Sequence, residues 1–443
     1  MAGTQKSEPI STKQLRIAEI TRKFPTSALK TLAHHIDLDW LREAHRRTRK
    51  GGAPGIDRQT AADYAVDLDS NLQSLLDRAK SGDRYRAPPV KRAYIPKGKG
   101  ELRPLGIPTF EDKVLQRAVA MVLESVYEQE FLPCSYGFRP GRSPLQAVMA
   151  VNKTLVGMRR RCTVLELDIC QFFDTVDHDM LRKILCERIG DGVLIRLIGK
   201  WLKAGVIEQG RHLNPEIGTP QGGVISPLLA NIYLHTVFDL WFMRDVLPRM
   251  RGKAHMVRFA DDVVMFFEHE GDAERVMAVL GKRAARFGLK LHPDKTRLVP
   301  FRRPWPEEKR DRRKAGTFDF LGFTFYWGQT RAGKWMPMMK TSSARLRRAV
   351  ATANTWLREV RFWKVSVQYA HLRVKLLGHF RYFGISGNSR SLQYFRWRVN
   401  YLWRRWLLRR SHRRNVTYVG TLLNVHYRLP PARIYHGFAK QIQ

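Results

Sequence analysis

Residues 257–267 read VRFADDVVMFF. Valine and phenylalanine on both sides favour strands, and a short polar break between two such runs predicts a hairpin turn. That turn carries Asp261 and Asp262. Aspartate is a common turn residue, so an acidic turn is one account of the pattern. Two adjacent carboxylates repel each other, however, and burial raises the cost of ionising both. A bound cation removes that cost. The rest of the chain decides between an ordinary turn and one that holds a metal.

A second acidic stretch lies upstream. TVLELDICQFFDTVDH (163–178) runs as an apolar strand that ends at Asp168. If this strand lies beside the 257–267 hairpin, Asp168 approaches Asp261 and Asp262. Without metal, at least one member of such a cluster holds a proton. Two Mg²⁺ ions satisfy all three through hard oxygen bonds. A pair of metals about 3.5–4 Å apart serves in-line phosphoryl transfer. The competing account is three unrelated structural aspartates. Asp174 and Asp177 read as cap or turn residues, and His178 as structural. In GTPQGGVISPLLANIYL (218–234), a glycine-rich start precedes a helix predicted from about Ser226. Gly222 and Gly223 permit close backbone approach to a ligand, and the helix that follows offers free N–H groups to phosphate.

Charge supplies the partner class. The chain of 443 residues holds 79 Lys and Arg against 40 Asp and Glu, a net charge of +39. Such an excess self-repels unless a polyanion neutralises it, and nucleic acid is the natural candidate. Anionic membrane and a ribosomal-type structural role are the rivals. Neutralising roughly 10 phosphates implies a loss of about 10³–10⁵ in affinity between 50 and 200 mM salt on double-helical DNA, with a weaker trend on RNA. No apolar run approaches the 18 or so residues of a membrane span, and MAGTQKSEPISTKQ lacks a signal-peptide core. Cys134, Cys162, Cys170 and Cys186 contain no CxxC pair, which argues against a zinc knuckle or disulfide framework. A cytoplasmic protein is expected.

The length predicts two or three domains. From Thr341 to Gln443 there are 21 Lys or Arg and one acid, Glu359. Three amphipathic helices are predicted there, on stripes Leu346/Val350/Ala353/Leu357/Val360, Tyr369/Leu372/Leu376/Phe380/Phe383 and Leu392/Phe395/Val399/Leu402/Trp406. Most of these aromatics read as core, with arginine on the opposite faces. FRRPWPEEKRDRRKAG (301–316) reads as an exposed connector, and TFDFLGFTFYW (317–327) as strand with a glycine break. A helix over Glu111–Tyr127 has Val114, Ala118, Met121, Val122 and Val126 available for one face.

The ordered set of segments resembles the reverse transcriptases encoded by bacterial group II introns, the intron maturases. The matching stretches are GAPGID, IPKGKGELRPLGIP, SYGFRPGRS (135–143), LDICQFFDTVDH, GTPQGGVISPLLANIYL, RFADD, LHPDKT (291–296) and FDFLGF (318–323). One of them alone is a weak signal; their order from about residue 50 to 323 is a strong one.

The resemblance implies an α+β right-hand polymerase. It has an N-terminal extension over 1–44, fingers and a palm with an antiparallel sheet over 45–333, and an all-α thumb and maturase RNA-binding region over 341–443. It implies an RNA-directed DNA polymerase, a nucleotidyltransferase that extends a primer 3′-OH by two-Mg²⁺ catalysis and binds intron RNA in splicing and mobility. Asp168, Asp261 and, more peripherally, Asp262 then hold metal, with the backbone carbonyl of Ile169. Phe173 resembles the aromatic gate under the incoming sugar, and Gln221 the nucleotide contact. Lys97 and Arg103 resemble the cations on the triphosphate, with Lys91 and Lys99 as neighbouring alternatives. Lys295 resembles the proton donor to pyrophosphate. The implied partners are intron RNA template, a DNA or RNA primer, deoxynucleoside triphosphates and a DNA target, with no membrane.

Two departures are local: Cys170 stands where a basic residue is frequent, and the hairpin reads FADD rather than YADD. No Cys/His cluster follows residue 186, so no zinc-linked endonuclease domain is expected. Three rivals share part of this pattern. They are a splicing-only RNA-binding maturase, a domesticated relative in DNA repair or phage defence, and a two-metal nuclease. The nuclease has no need of Gln221, Lys97 and Arg103.

Overall fold

The computed structural model describes residues 9–82, 84–98, 101–158, 162–208, 211–213, 222–304, 316–330, 332–410 and 416–437. The strands run in chain order as β1 (Val90–Gly98), β2 (Glu101–Ile107), β3 (Thr163–Leu167), β4 (Val206–Glu208), β5 (Arg211–Leu213), β6 (Ala254–Phe259), β7 (Asp262–Phe267), β8 (Arg297–Pro300), β9 (Phe318–Phe320), β10 (Phe323–Gln329) and β11 (Trp335–Thr341). The chain divides into two compact units. One comprises Met1–Ala147, Leu165–Met265 and Gly271–Arg297; the other comprises Val148–Val164, Phe266–Glu270 and Leu298–Gln443.

In the first unit, β1 and β2 form an antiparallel hairpin, with Ile95 opposite Arg103. This hairpin belongs to a sheet of order β2-β1-β4-β5, in which β4 runs parallel to β1. Strands β6, β7 and β3 are neighbours in a sheet of order β6-β7-β3-β8. It sets the strand ending before Asp168 directly beside the strand that begins at Asp262, the adjacency that a shared acidic site requires. The apolar run of β7 explains its place inside a sheet: Val263, Val264 and Met265 are all buried, as strands covered on both faces require.

The helix expected over Glu111–Tyr127 spans Phe110–Tyr127, but it does not bury a single face. Val114, Leu115, Ala118, Val119, Met121, Val122 and Leu123 are all fully enclosed. The reason is tertiary: helices Ile10–Lys23, Leu38–Arg47 and Ser226–Leu234 all pack on it. Trp40 of the second donates its indole N–H to the Ala118 carbonyl at 2.9 Å.

Inside this core, Asp112 accepts from the Tyr85 hydroxyl, from Trp201 Nε1 at 2.8 Å and from Gln116 Nε2 at 2.9 Å. Burial is the main cause that pushes its carboxyl up to about 6, against those hydrogen bonds. Gln116 then uses its own oxygen to accept from Val224 N at 2.9 Å, fixing the chain that leads into helix Ser226–Leu234. Asp112→Ala leaves the Tyr85 hydroxyl and Gln116 Nε2 buried without this acceptor, while Trp201 Nε1 keeps the Tyr85 oxygen at 2.8 Å. We expect a loss of about 2 kcal/mol or more in urea unfolding, since each orphaned donor costs about 1–3 kcal/mol.

In the second unit, β9, β10 and β11 form an antiparallel sheet of order β11-β10-β9. Leu321 and Gly322 turn between β9 and β10 at φ of 49° and 83°, which is the expected glycine break. Helices Ser343–Glu359, Val365–Phe383 and Ser389–Leu407 follow, as the three predicted stripes require. Two buried amides tie them together. Gln368 donates to Val360 O at 2.6 Å and accepts from Trp403 Nε1 at 2.7 Å. Asn388 holds Thr341 through its N–H at 2.9 Å and its Oγ1 at 2.8 Å. Most of connector 301–316 lies outside the described residues. No helix among those described is long and apolar enough to cross a membrane.

Candidate active site

Strands β6 and β7 are joined by a turn at Ala260 and Asp261. Ala260 adopts a φ of 55°, a left-handed conformation that costs an L-residue with a Cβ about 1 kcal/mol or more. Three features hold the turn in place.

First, Gly137 lies against it. A Cβ on that glycine would stand 2.3 Å from the Ala260 nitrogen, so only glycine fits. Second, the chain before Gly137 is hydrogen-bonded to β6: Arg258 N donates to Cys134 O at 2.8 Å and Tyr136 N to Arg258 O at 2.9 Å. Third, the Arg258 side chain runs fully buried beneath the turn. Its guanidinium donates to Asp239 Oδ1 at 2.7 Å and Oδ2 at 2.5 Å, to Asn231 Oδ1 at 2.9 Å and to the Ala260 carbonyl at 3.2 Å. Burial opposes ionisation of Asp239. The charge and hydrogen bonds of Arg258, aided by His235, outweigh it and hold the carboxyl below its ordinary range.

Asp168 stands just past the end of β3. Its carbonyl accepts from His292 N at 2.9 Å, and Cys170 N donates to Lys290 O at 2.8 Å. Ile169 is buried and bridges to Leu291. Lys290 and the LHPDKT segment that follows it therefore pin the backbone at Asp168 and just beyond it. Lys295 of that segment reaches back, its Nζ donating to Asp168 Oδ2 at 2.9 Å.

The electrostatics of Asp261 show which groups share this site. Burial is the main cause that raises its carboxyl above the ordinary range, and the charge of Asp168 adds to it. Arg103 and Arg258 act in the opposite direction. Asp168 and Arg103, drawn from two other segments, thus both act on Asp261, and Lys295 contacts Asp168.

Asp262 is exposed at the start of β7. Phe173 is half-buried, its ring edge-on to Phe172 at 5.4 Å, in the short helix Phe172–Thr175 that follows Gln171 at a φ of 44°. Lys97 lies on β1, two residues past the partner of Arg103. Gln221 lies outside the described residues. Its neighbour Gly222 has a φ of 114°, and a Cβ there would meet the Gly106 carbonyl at 2.6 Å. The close approach predicted for this glycine is therefore made to the backbone of β2. Among the described residues, no three His, Cys, Asp or Glu side chains are gathered into a preformed metal-ligating set.

Arg258, Asp239, Asn231 and Gly137 were not singled out by sequence reasoning as supports of the turn. A signal existed for two of them: an arginine inside an apolar strand and an aspartate in the apolar run HTVFDL both need buried partners.

Residues 95–325 match the family described as reverse transcriptase (RNA-dependent DNA polymerase). The chain is similar to Protein YkfC of Escherichia coli (strain K12), with 36% identity over 65% of this chain and 84% of that protein. It is also similar to the group II intron-encoded protein LtrA of Lactococcus lactis subsp. cremoris, with 39% identity over 45% of this chain and 32% of that one. A shorter similarity, 30% identical over 22% of this chain and 13% of the relative, is to the nuclear intron maturase 1, mitochondrial, of Arabidopsis thaliana. The chain thus spans most of one of these relatives and less than a third of the other two.

Proposed function

Because the chain belongs to the reverse transcriptase (RNA-dependent DNA polymerase) family, we propose that it copies RNA into DNA at the site formed by Asp168 and Asp261. In this proposal a primer 3′-OH attacks the α-phosphate of a deoxynucleotide selected by an RNA template, and pyrophosphate leaves. The observation that carries the reading is the sheet order β6-β7-β3-β8, in which the strand ending before Asp168 lies beside the hairpin whose turn carries Asp261.

The donor chemistry fits divalent metal. Carboxylate and carbonyl oxygens are hard ligands suited to Mg²⁺, and Asp261, its carboxyl raised by burial and then by the charge of Asp168, is an acid whose ionised form a cation would favour. Asp168, Asp261 and the Ile169 carbonyl would hold two Mg²⁺ ions, with Asp262 at the edge. When bound, such a pair stabilises attacking and leaving oxygens in phosphoryl transfer.

The remaining steps belong to the chain's own residues. Arg103 and Lys97, on the two strands of one hairpin, bind the triphosphate; cations there offset charge developing on the transferring group. Gln221 contacts the incoming nucleotide. Phe173 lies under its sugar and excludes a 2′-OH. Lys295, whose Nζ donates to Asp168 Oδ2 at 2.9 Å, donates a proton to the departing pyrophosphate.

Residues 45–333 form the fingers and palm of a right-hand polymerase in this reading, and 341–443 its thumb and RNA-binding region. Binding of intron RNA in splicing and mobility is the second activity. The similarities to LtrA and to the nuclear intron maturase support it, as does the basic charge of the 341–443 segment.

Primer extension on an RNA template, stopped by a chelator and restored by Mg²⁺, tests the polymerase reading; extension that persists in chelator contradicts it. Phe173→Val is expected to raise ribonucleotide incorporation relative to deoxynucleotide by about tenfold or more, the scale at which an active site separates substrates by a single group. Unchanged sugar selectivity removes Phe173 from the gate.

A further inference from the structure

Helix Ser389–Leu407 carries aromatic residues on two faces. Leu392, Phe395, Val399, Leu402 and Trp403 are buried against the second unit's core. Tyr394, Trp397 and Tyr401 lie on the other side, 48%, 56% and 48% exposed. Their spacing of three and four residues aligns them along one line of the helix. The Tyr394 and Trp397 rings are 5.9 Å apart, as are those of Trp397 and Tyr401, the latter pair stacked at 27°. The Arg398 guanidinium sits 5.7 Å from the Trp397 ring and 5.3 Å from that of Tyr401. A single exposed aromatic is unremarkable on a protein surface. Three in register, each about half exposed, with a cation over two of them, form a ladder of aromatic rings.

Beside the ladder runs a groove of about 810 Å³ between this helix and Ser343–Glu359, lined by Arg347, Asn354, Tyr394, Arg398 and Arg405 among others. Among the described residues none of these three arginines pairs with a carboxylate. The surrounding segment 341–443 has only Glu359 as an acid.

We propose that the Tyr394–Trp397–Tyr401 ladder and this groove bind a single-stranded stretch of RNA, with unpaired bases stacked on the rings and phosphates on Arg347, Arg398 and Arg405. The proposal rests on the reading that the chain binds RNA, and specifies where and in what form. Two features select this occupant. Open ring faces are used by bases whose own faces are free, and a double helix hides these faces in its stack. The cations require a polyanion, and a second copy of the same surface brings like charges together instead.

Equilibrium binding of a 20-nucleotide oligouridylate and of a 20-base-pair RNA duplex tests the assignment. The double variant Trp397→Ala/Tyr401→Ala is expected to bind the oligouridylate about tenfold or more weakly, and the duplex within about twofold of the wild type. Trp397→Phe keeps a stacking face and is expected to stay within about twofold on both. Arg398→Ala is expected to reduce the slope of log affinity against log salt by about 0.7 on the single strand, the value for one phosphate contact. Wild-type affinity for oligouridylate in the double variant overturns the ladder. So does an equal loss on duplex and single strand, or a tenfold loss in Trp397→Phe. If the wild type itself binds neither RNA, the RNA-binding reading fails as a whole. If it binds both and the double variant is unchanged, the ladder alone fails.

Discussion

Asp261→Asn is expected to abolish primer extension and, in the metal-free protein, to raise the melting temperature. The two effects share one cause. The Asp261 carboxyl is raised by burial and then by the charge of Asp168. A group with a raised folded-state pKa binds its proton more tightly in the native protein than in the unfolded chain. Its contribution to stability is greatest when protonated, and declines as pH rises from the ordinary carboxylate value through the raised one. At neutral pH the ionised group therefore works against folding. Asparagine keeps the shape and removes the charge.

The gain should shrink as pH is lowered into the titration range. Extension should fall by about 10³-fold or more, because loss of even one group that stabilises transition-state charge costs 10²–10³. Mg²⁺ should raise the melting temperature of the wild type more than that of the variant. RNA binding should be nearly unchanged in Asp261→Asn and in Asp261→Ala. Equal loss of binding and synthesis would mark Asp261 as a structural acid. A lower melting temperature for the asparagine variant in the metal-free protein would contradict the electrostatic account.

The second large effect concerns the buried pair beneath the turn. Asp239→Ala leaves the Arg258 guanidinium enclosed with no counter-charge, at an expected cost of about 3–5 kcal/mol in denaturant unfolding. Replacing both partners with apolar residues, as Arg258→Met with Asp239→Leu, removes the uncompensated charge and should recover most of that loss. It does not restore the hydrogen bonds from Arg258 to the Ala260 carbonyl and to Asn231. The double variant should therefore fold yet extend primers about 10–100-fold more slowly, since small misplacements of a reacting group are costly. Wild-type extension by a stable double variant would show that the pair serves folding alone.

The hairpin and its neighbour were legible in the sequence because each is local. VRFADDVVMFF has two strand-forming runs with a polar break, and TVLEL runs directly into an acid, Asp168. What needed the structure is non-local. Asp239 meets Arg258 from 19 residues upstream in chain order, through a helix whose apolar neighbours disguise it. Helix Phe110–Tyr127 reads as amphipathic, but is covered on nearly all sides by helices distant in sequence. Gly222 announces a close approach, and only the fold identifies its neighbour as Gly106. In helix Ser389–Leu407 both faces are aromatic, so period alone cannot rank them. Trp403 proves fully buried and Trp406, placed on the core stripe by sequence, is only half-buried. Tyr394, Trp397 and Tyr401 face outward.

The most direct test offers a DNA primer annealed to an RNA template and a single labelled deoxynucleotide, with Mg²⁺, to the wild type and to Asp168→Asn at matched RNA occupancy. The account predicts that the wild type adds the nucleotide complementary to the template and that Asp168→Asn adds none above background. Incorporation by Asp168→Asn at the wild-type rate, or none by a wild type that binds the template, would contradict it.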